Sequence, residues 1–124
     1  MSNRDFQDSI ATYKKALEIY EQLNDTQGKA IAHIHLGTTY LAMADNRFNA
    51  IPSIPPRPIP KPPKGPKSEE RLSNIRKSIE ELSIAVELSQ EEDLPTQAFS
   101  LLKLGEAQAL QTLELAIEQQ EVEG

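Results

Sequence analysis

The sequence predicts an all-α protein of about four helices arranged as antiparallel hairpins. Three observations lead to this prediction. Apolar residues recur at spacings of three and four, as on one face of a helix. Only 5% of residues are aromatic and tryptophan is absent, so the core must be built mainly from Leu, Ile and Ala, which suit helices better than a sheet. Two long segments also repeat each other at an offset of 69 residues.

The first hairpin is predicted over residues 1–44. Its first helix should end near residues 24–26, where side-chain oxygens can cap the next helix. The second helix carries two neighbouring apolar stripes, so we expect it to contact other helices on more than one side. The apolar stripe of the first helix is Phe6, Ile10, Tyr13, Leu17 and Tyr20, and the main stripe of the second is Ala30, Ile34, Gly37 and Leu41.

A proline-rich insertion is predicted over residues 45–68, because eight of the nine prolines lie between Pro52 and Pro66. Proline removes a backbone donor and restricts the preceding residue, so an exposed polyproline II conformation is expected. The segment matches ligands of Src-homology-3-type domains in both orientations. A spacer or a strap along an acidic partner is the interpretation that we favour. The candidate recognition residues are Pro52, Pro55, Arg57, Pro58, Pro60 and Pro63.

The second hairpin is predicted over residues 69–124. Ser68 should cap its first helix, and Pro95 suits the first turn of its second helix. The repeat pattern leaves no room for a turn after Gly105, so we expect one continuous last helix of about 25 residues. Its predicted buried stripe is Ala98, Leu102, Gly105, Ala109, Leu113 and Ile117.

The internal repeat carries a family resemblance. The segment that begins at Ser9 and contains Ala16 recurs with Ser78 and Ala85, and Leu36-Gly37 recurs as Leu104-Gly105. The run from Leu36 to Tyr40 resembles the Leu-Gly-x-x-Tyr core of the tetratricopeptide repeat, in its longer bacterial-type form with a proline-rich insertion. The resemblance implies a short right-handed superhelix. It also implies close helix packing around Gly37, Tyr40, Ala16, Ala85 and Gly105.

The same resemblance implies a binding groove. In the tetratricopeptide family the first helix of each repeat lines a concave surface that takes peptides or helices. The corresponding residues here are His35, Thr38, Leu41, Lys103 and Glu106. His35 stands where the family subset that clamps a C-terminal carboxylate has asparagine, so binding of chaperone tails is disfavoured.

Several function classes are excluded by the sequence. The net charge is −6, and residues 69–124 alone carry −9, which disfavours nucleic acid. His33 and His35 point apart on a helix and cannot share a metal ion. There is no cysteine, no glycine-rich phosphate loop and no catalytic constellation. We therefore expect no enzyme activity, metal or cofactor, no membrane insertion and a cytoplasmic location.

The sequence thus predicts a non-catalytic scaffold or adaptor that binds a protein or peptide. Two hairpins cannot cover all of their apolar surface, so a second copy, in a homodimer, or a larger partner should complete the stack. The alternative is a structural or assembly subunit of a larger complex, with the proline-rich segment as strap or recognition motif.

Overall fold

The structure is a computed structural model that describes residues 3–44, 66–89 and 93–123. These ranges form four helices and contain no strand: α1 (Asn3–Gln22), α2 (Thr26–Ala44), α3 (Pro66–Leu88) and α4 (Leu94–Glu123). Each helix packs against the next, and α2 also contacts α4. The all-α prediction is confirmed, and α4 is one continuous helix. The proline-rich segment, with its six candidate recognition residues, lies outside the described residues, and the superhelical handedness stays a prediction.

The helix ends follow the sequence signals. After α1, Asn24 adopts a left-handed backbone conformation with φ of 53°, and the Asp25 carboxylate accepts a 3.0 Å hydrogen bond from the backbone N–H of Gly28. Asp93 accepts a similar bond of 3.2 Å from the N–H of Thr96, at the start of α4. These contacts satisfy donors that the first turn of a helix leaves free.

The start of α3 differs from the prediction. It begins at Pro66, before the Ser68 cap that the sequence predicts, because proline has the φ angle of a helix and loses no hydrogen bond in the first turn. Residues 66–68, which the sequence assigns to the extended insertion, are therefore helical.

The core lies along α2, which is covered on both sides. Against α1, a cluster forms around Ile10, Leu36 and Tyr40, with Tyr13 and Leu17 packed on it. Against α3, the contact is close because Gly37 has no side chain. A Cβ built on Gly37 would lie 2.6 Å from Cγ of Leu82 and 3.3 Å from the carbonyl oxygen of Ser78. Gly37 therefore marks a close approach between α2 and α3.

The buried face of α4 is not the one that the sequence predicts. Ser100, Ala107 and Glu114, spaced seven residues apart, are almost fully buried. Arg71 of α3 donates to Glu114 at 2.8 Å, and Ser100 donates to the Thr96 carbonyl oxygen at 2.8 Å. This small and polar stripe therefore faces α3. The predicted stripe points away from it, because Arg71 and the small residues fix the opposite face.

Gly105 shows the same correction. No atom of the described residues lies within 4 Å of a Cβ built on Gly105, so the close packing predicted for it has no partner in the described part of the chain. Gly105 stands on the exposed face of α4, where no helix of the described chain is present. Gly28, which no sequence pattern marks, has a packing role instead, since it is buried and lies directly against the ring of Tyr20.

Candidate interaction surface

The predicted groove residues lie on two helices, α2 and α4. His35 stacks on Tyr13 of α1, with ring centroids 5.0 Å apart and an angle of 18° between the rings. Thr38 donates to the carbonyl oxygen of His35 at 3.1 Å, and the amine of Lys103 pairs with Glu106 at 3.0 Å. Among the described residues, no hydrogen bond, ion pair or ring contact joins the α2 half of this set to the α4 half. Leu41, the remaining member, is half-buried on α2.

The two histidines serve separate interfaces, as their spacing predicts. His33 contacts α3, where its Nδ1 lies 2.5 Å from Oε2 of Glu81, whereas His35 faces α1. A shared ligand is therefore impossible for this pair. Across the described ranges there is no group of three or more His, Cys, Asp and Glu side chains placed to hold a metal ion.

A small cleft lies where the ends of α2, α3 and α4 meet. Its volume is about 40 Å³, and it is lined by Gln27, Ala30, Leu88, Ser89, Asp93 and Thr96. The cleft has room for a few waters, well short of the several hundred Å³ typical of small-molecule sites.

Asp93 in this cleft has a structural task. It accepts hydrogen bonds from the hydroxyl and the backbone N–H of Thr96, and from the Gln27 amide at 3.0 Å. These bonds favour the charged carboxylate and hold the pKa of Asp93 below its usual value. The arrangement caps α4 and ties it to α2, and it needs no ligand to explain it.

Several large apolar side chains are exposed on the face of α4 that points away from α3. We call this surface the α4 outer face. Leu94 is 68% exposed, Leu102 is 70% exposed and Leu101 is 50% exposed. Ala98, Gly105 and Ala109 lie on the same face and are exposed too. These six positions carry no charged side chain. A contiguous apolar stripe of this kind is typical of a surface that another polypeptide covers.

The repeat shows why this face is open. Positions on α4 correspond to positions on α2 at an offset of 68. Ile34 of α2 is only 7% exposed, whereas its α4 counterpart Leu102 is 70% exposed. Gly37 and Gly105 show the same contrast. The α4 outer face is thus the counterpart of the α2 face that α3 covers, and no helix of the described residues covers it.

The other residues predicted to pack the repeats also differ in exposure. Tyr40 is buried and Ala85 is fully buried inside the stack. Ala16, the counterpart of Ala85 on α1, is only half-buried. The difference arises because α3 has a helix on each side, whereas α2 is the only one of the four described helices that α1 contacts.

In the described ranges, no helix has the length and hydrophobicity needed to cross a bilayer. Comparison of the chain with protein-family models, with curated proteins and with solved structures found no match.

Proposed function

We propose that this chain is a non-catalytic scaffold of the tetratricopeptide type, which acts in the cytoplasm and binds a protein partner through the α4 outer face. The observation that carries the proposal is the exposure of Leu94 and Leu102 on one uncharged stripe. Burial of a leucine side chain contributes about 1.5–3 kcal/mol. Such a stripe can therefore supply the apolar centre of a protein interface.

The stability of the hairpins supports a role as a rigid scaffold. The α2–α3 contact is close at Gly37 and includes a 2.7 Å hydrogen bond from the buried Ser78 hydroxyl to the Gly37 carbonyl oxygen. Arg71 fixes α4 through Glu114, which is 1% exposed. An interaction surface on helices that are held in this way binds without a large ordering cost.

The non-catalytic part of the proposal rests on the polar groups that the chain places together. One candidate acid–base pair is His33 with Glu81, on the α2–α3 contact, where the His33 side chain is 13% exposed. A general base needs an adjoining space for the substrate. The cleft described above is only about 40 Å³ in volume, and neither His33 nor Glu81 lines it.

Photo-crosslinking in living cells tests the proposal. A benzoylphenylalanine at position 102 places the reactive group on the α4 outer face. The same group at Glu80, an exposed residue of α3, is the matched control. We expect covalent protein adducts from position 102 and at least tenfold fewer from position 80. Equal yields from the two positions would refute the proposed binding face, and mass spectrometry of the adducts identifies the partner.

A further inference from the structure

The α2–α3 contact joins a covered helix to a covering helix, and the repeat supplies a second helix of each kind. Positions on α1 correspond to positions on α3 at an offset of 69, just as those on α2 correspond to α4 at 68. Within the chain, α3 covers one face of α2. The repeat therefore makes α1 the counterpart of the covering helix and α4 the counterpart of the covered helix.

Exposure on α1 agrees with this correspondence. Ser78 and Ala85, which lie on α3, are both 0% exposed. Their α1 counterparts, Ser9 and Ala16, are only half-buried. Leu88 lines the cleft beside Ala30 of α2, and its counterpart Ile19 is 56% exposed. The side of α1 that corresponds to the α2-covering side of α3 is therefore open.

The two open faces also hold the most exposed large apolar side chains. Among the described residues, the four highest exposures are those of Leu102 (70%), Leu94 (68%), Leu23 (67%) and Ile19 (56%). Two of these belong to α4, and two lie at or just beyond the end of α1. Large apolar exposure is therefore concentrated at the two ends of the stack of helices.

We propose that the α4 outer face is occupied by α1 of a second copy of this chain, so that copies associate head to tail. This inference rests on the proposed function, since it names the partner of the same face. The α2–α3 contact supplies the geometry. There, Ala30 lies near Leu88 and Gly37 lies against Ser78 and Leu82, so the two helices run antiparallel.

Transferring these pairs by the repeat offsets gives the contact between copies. Ala98 meets Ile19, and Gly105 meets Ser9 and Tyr13. The register also places Leu94 of one copy beside the C-terminal end of α1 of the other copy, near Leu23. Gly105 then has the packing partner that the described residues of its own chain do not provide.

The polar pairs fit as well. Lys77 of α3 lies over the Tyr40 ring, 5.6 Å from its centroid. The counterparts of this pair are Asp8 on α1 and Gln108 on α4. A carboxylate opposite an amide can accept a hydrogen bond from it. The proposed contact therefore opposes no like charges at this point.

A head-to-tail contact joins two different surfaces, and this determines the test. Leu102→Glu disables only the α4 outer face, and Ile19→Glu disables only α1. Both side chains are exposed, so neither substitution should change folding. By light scattering we expect the unmodified chain to exceed its 13.8 kDa mass increasingly with concentration, because each copy leaves one face free. Each variant alone should remain a monomer, its association weakened at least tenfold.

Mixing the two variants is the decisive step. Leu102→Glu retains a working α1, and Ile19→Glu retains a working α4, so the mixture forms one competent interface. We expect a 1:1 dimer of about twice 13.8 kDa that does not grow further. A dimer of Ile19→Glu alone would show symmetric α4–α4 pairing and overturn the inference. A monomeric unmodified chain at millimolar concentration would overturn it too, while adducts of position 102 with a different protein would still support the proposed function.

Disulfide trapping tests the register independently, because the chain has no cysteine of its own. A mixture of Ser9→Cys and Gly105→Cys should form a mixed disulfide under mild oxidation. Arg76→Cys, on an exposed position of α3, is the control and should not pair with Ser9→Cys. Equal trapping of position 9 by positions 76 and 105 would overturn the proposed register.

Discussion

Replacing Gly37 and Gly105 by alanine, one at a time, measures how closely helices pack on the two matched faces. In the middle of a helix, alanine in place of glycine contributes about 1 kcal/mol of stability. At Gly105 nothing within 4 Å opposes the added methyl group. We therefore expect Gly105→Ala to raise the free energy of unfolding by about 1 kcal/mol, in dilute solution where the chain is a monomer.

At Gly37 the added methyl group meets α3. Its Cβ would lie 2.6 Å from Cγ of Leu82 and 3.3 Å from the backbone oxygen of Ser78. Both residues are fully buried, so neither can swing into solvent. Overpacking of this kind costs about 1–3 kcal/mol, which offsets or exceeds the gain in helix propensity. Gly37→Ala should therefore be about 1–3 kcal/mol less stable than Gly105→Ala.

Urea unfolding followed by circular dichroism at 222 nm gives both values, and thermal unfolding offers a check. For a domain of this size, 1 kcal/mol corresponds to a shift in melting temperature of about 4 °C. The two variants should therefore differ by about 4–12 °C. Equal stabilisation by the two substitutions would refute the close α2–α3 contact.

Three further outcomes are expected. Arg71→Met should cost about 3 kcal/mol in urea unfolding, because it removes the ion pair between Arg71 and the buried carboxylate of Glu114. A loss below about 1 kcal/mol would contradict the importance of that pairing. Ala107→Leu should lower the free energy of unfolding by about 1–3 kcal/mol through overpacking, whereas Ala109→Leu on the exposed side should leave it nearly unchanged. Equal effects of the two substitutions would contradict the packing of the Ala107 face against α3. Because the pKa of Asp93 is lowered in the folded state, its carboxylate should stabilise the fold above about pH 4, and this contribution should disappear as the pH falls through the folded pKa. Acid-unfolding curves that coincide for the native chain and Asp93→Asn would contradict this expectation.

The sequence predicts the helices well because their signals are local. The turn at Asp25, the break before Pro95 and the spacing of apolar residues each depend on a few neighbouring positions. Gly37 could be recognised because the Leu-Gly run recurs. Each of these features depends on backbone propensity and capping, which a single sequence states directly.

The sequence does not predict which neighbouring helix each face contacts. Arg71 and Glu114 lie 43 residues apart, and His33 and Glu81 lie 48 residues apart, so no local pattern links them. Apolar spacing located the most hydrophobic side of α4, but it could not show that this side has no covering helix. The prediction for Gly105 failed for that reason, since the repeat motif marks a capacity for close packing and the partner must be present to use it.

The choice of face on α4 is itself an argument for association. Against α3, α4 buries Ser100, Ala107 and Glu114, whereas Leu94 and Leu102 remain in water. Packing the leucines inward would bury more apolar surface, worth about 1.5–3 kcal/mol for each side chain fully covered. The small stripe is nevertheless buried, because it allows close approach and supplies the carboxylate that Arg71 needs. The leucines therefore contribute little to the stability of the single chain, and their burial free energy remains available for binding.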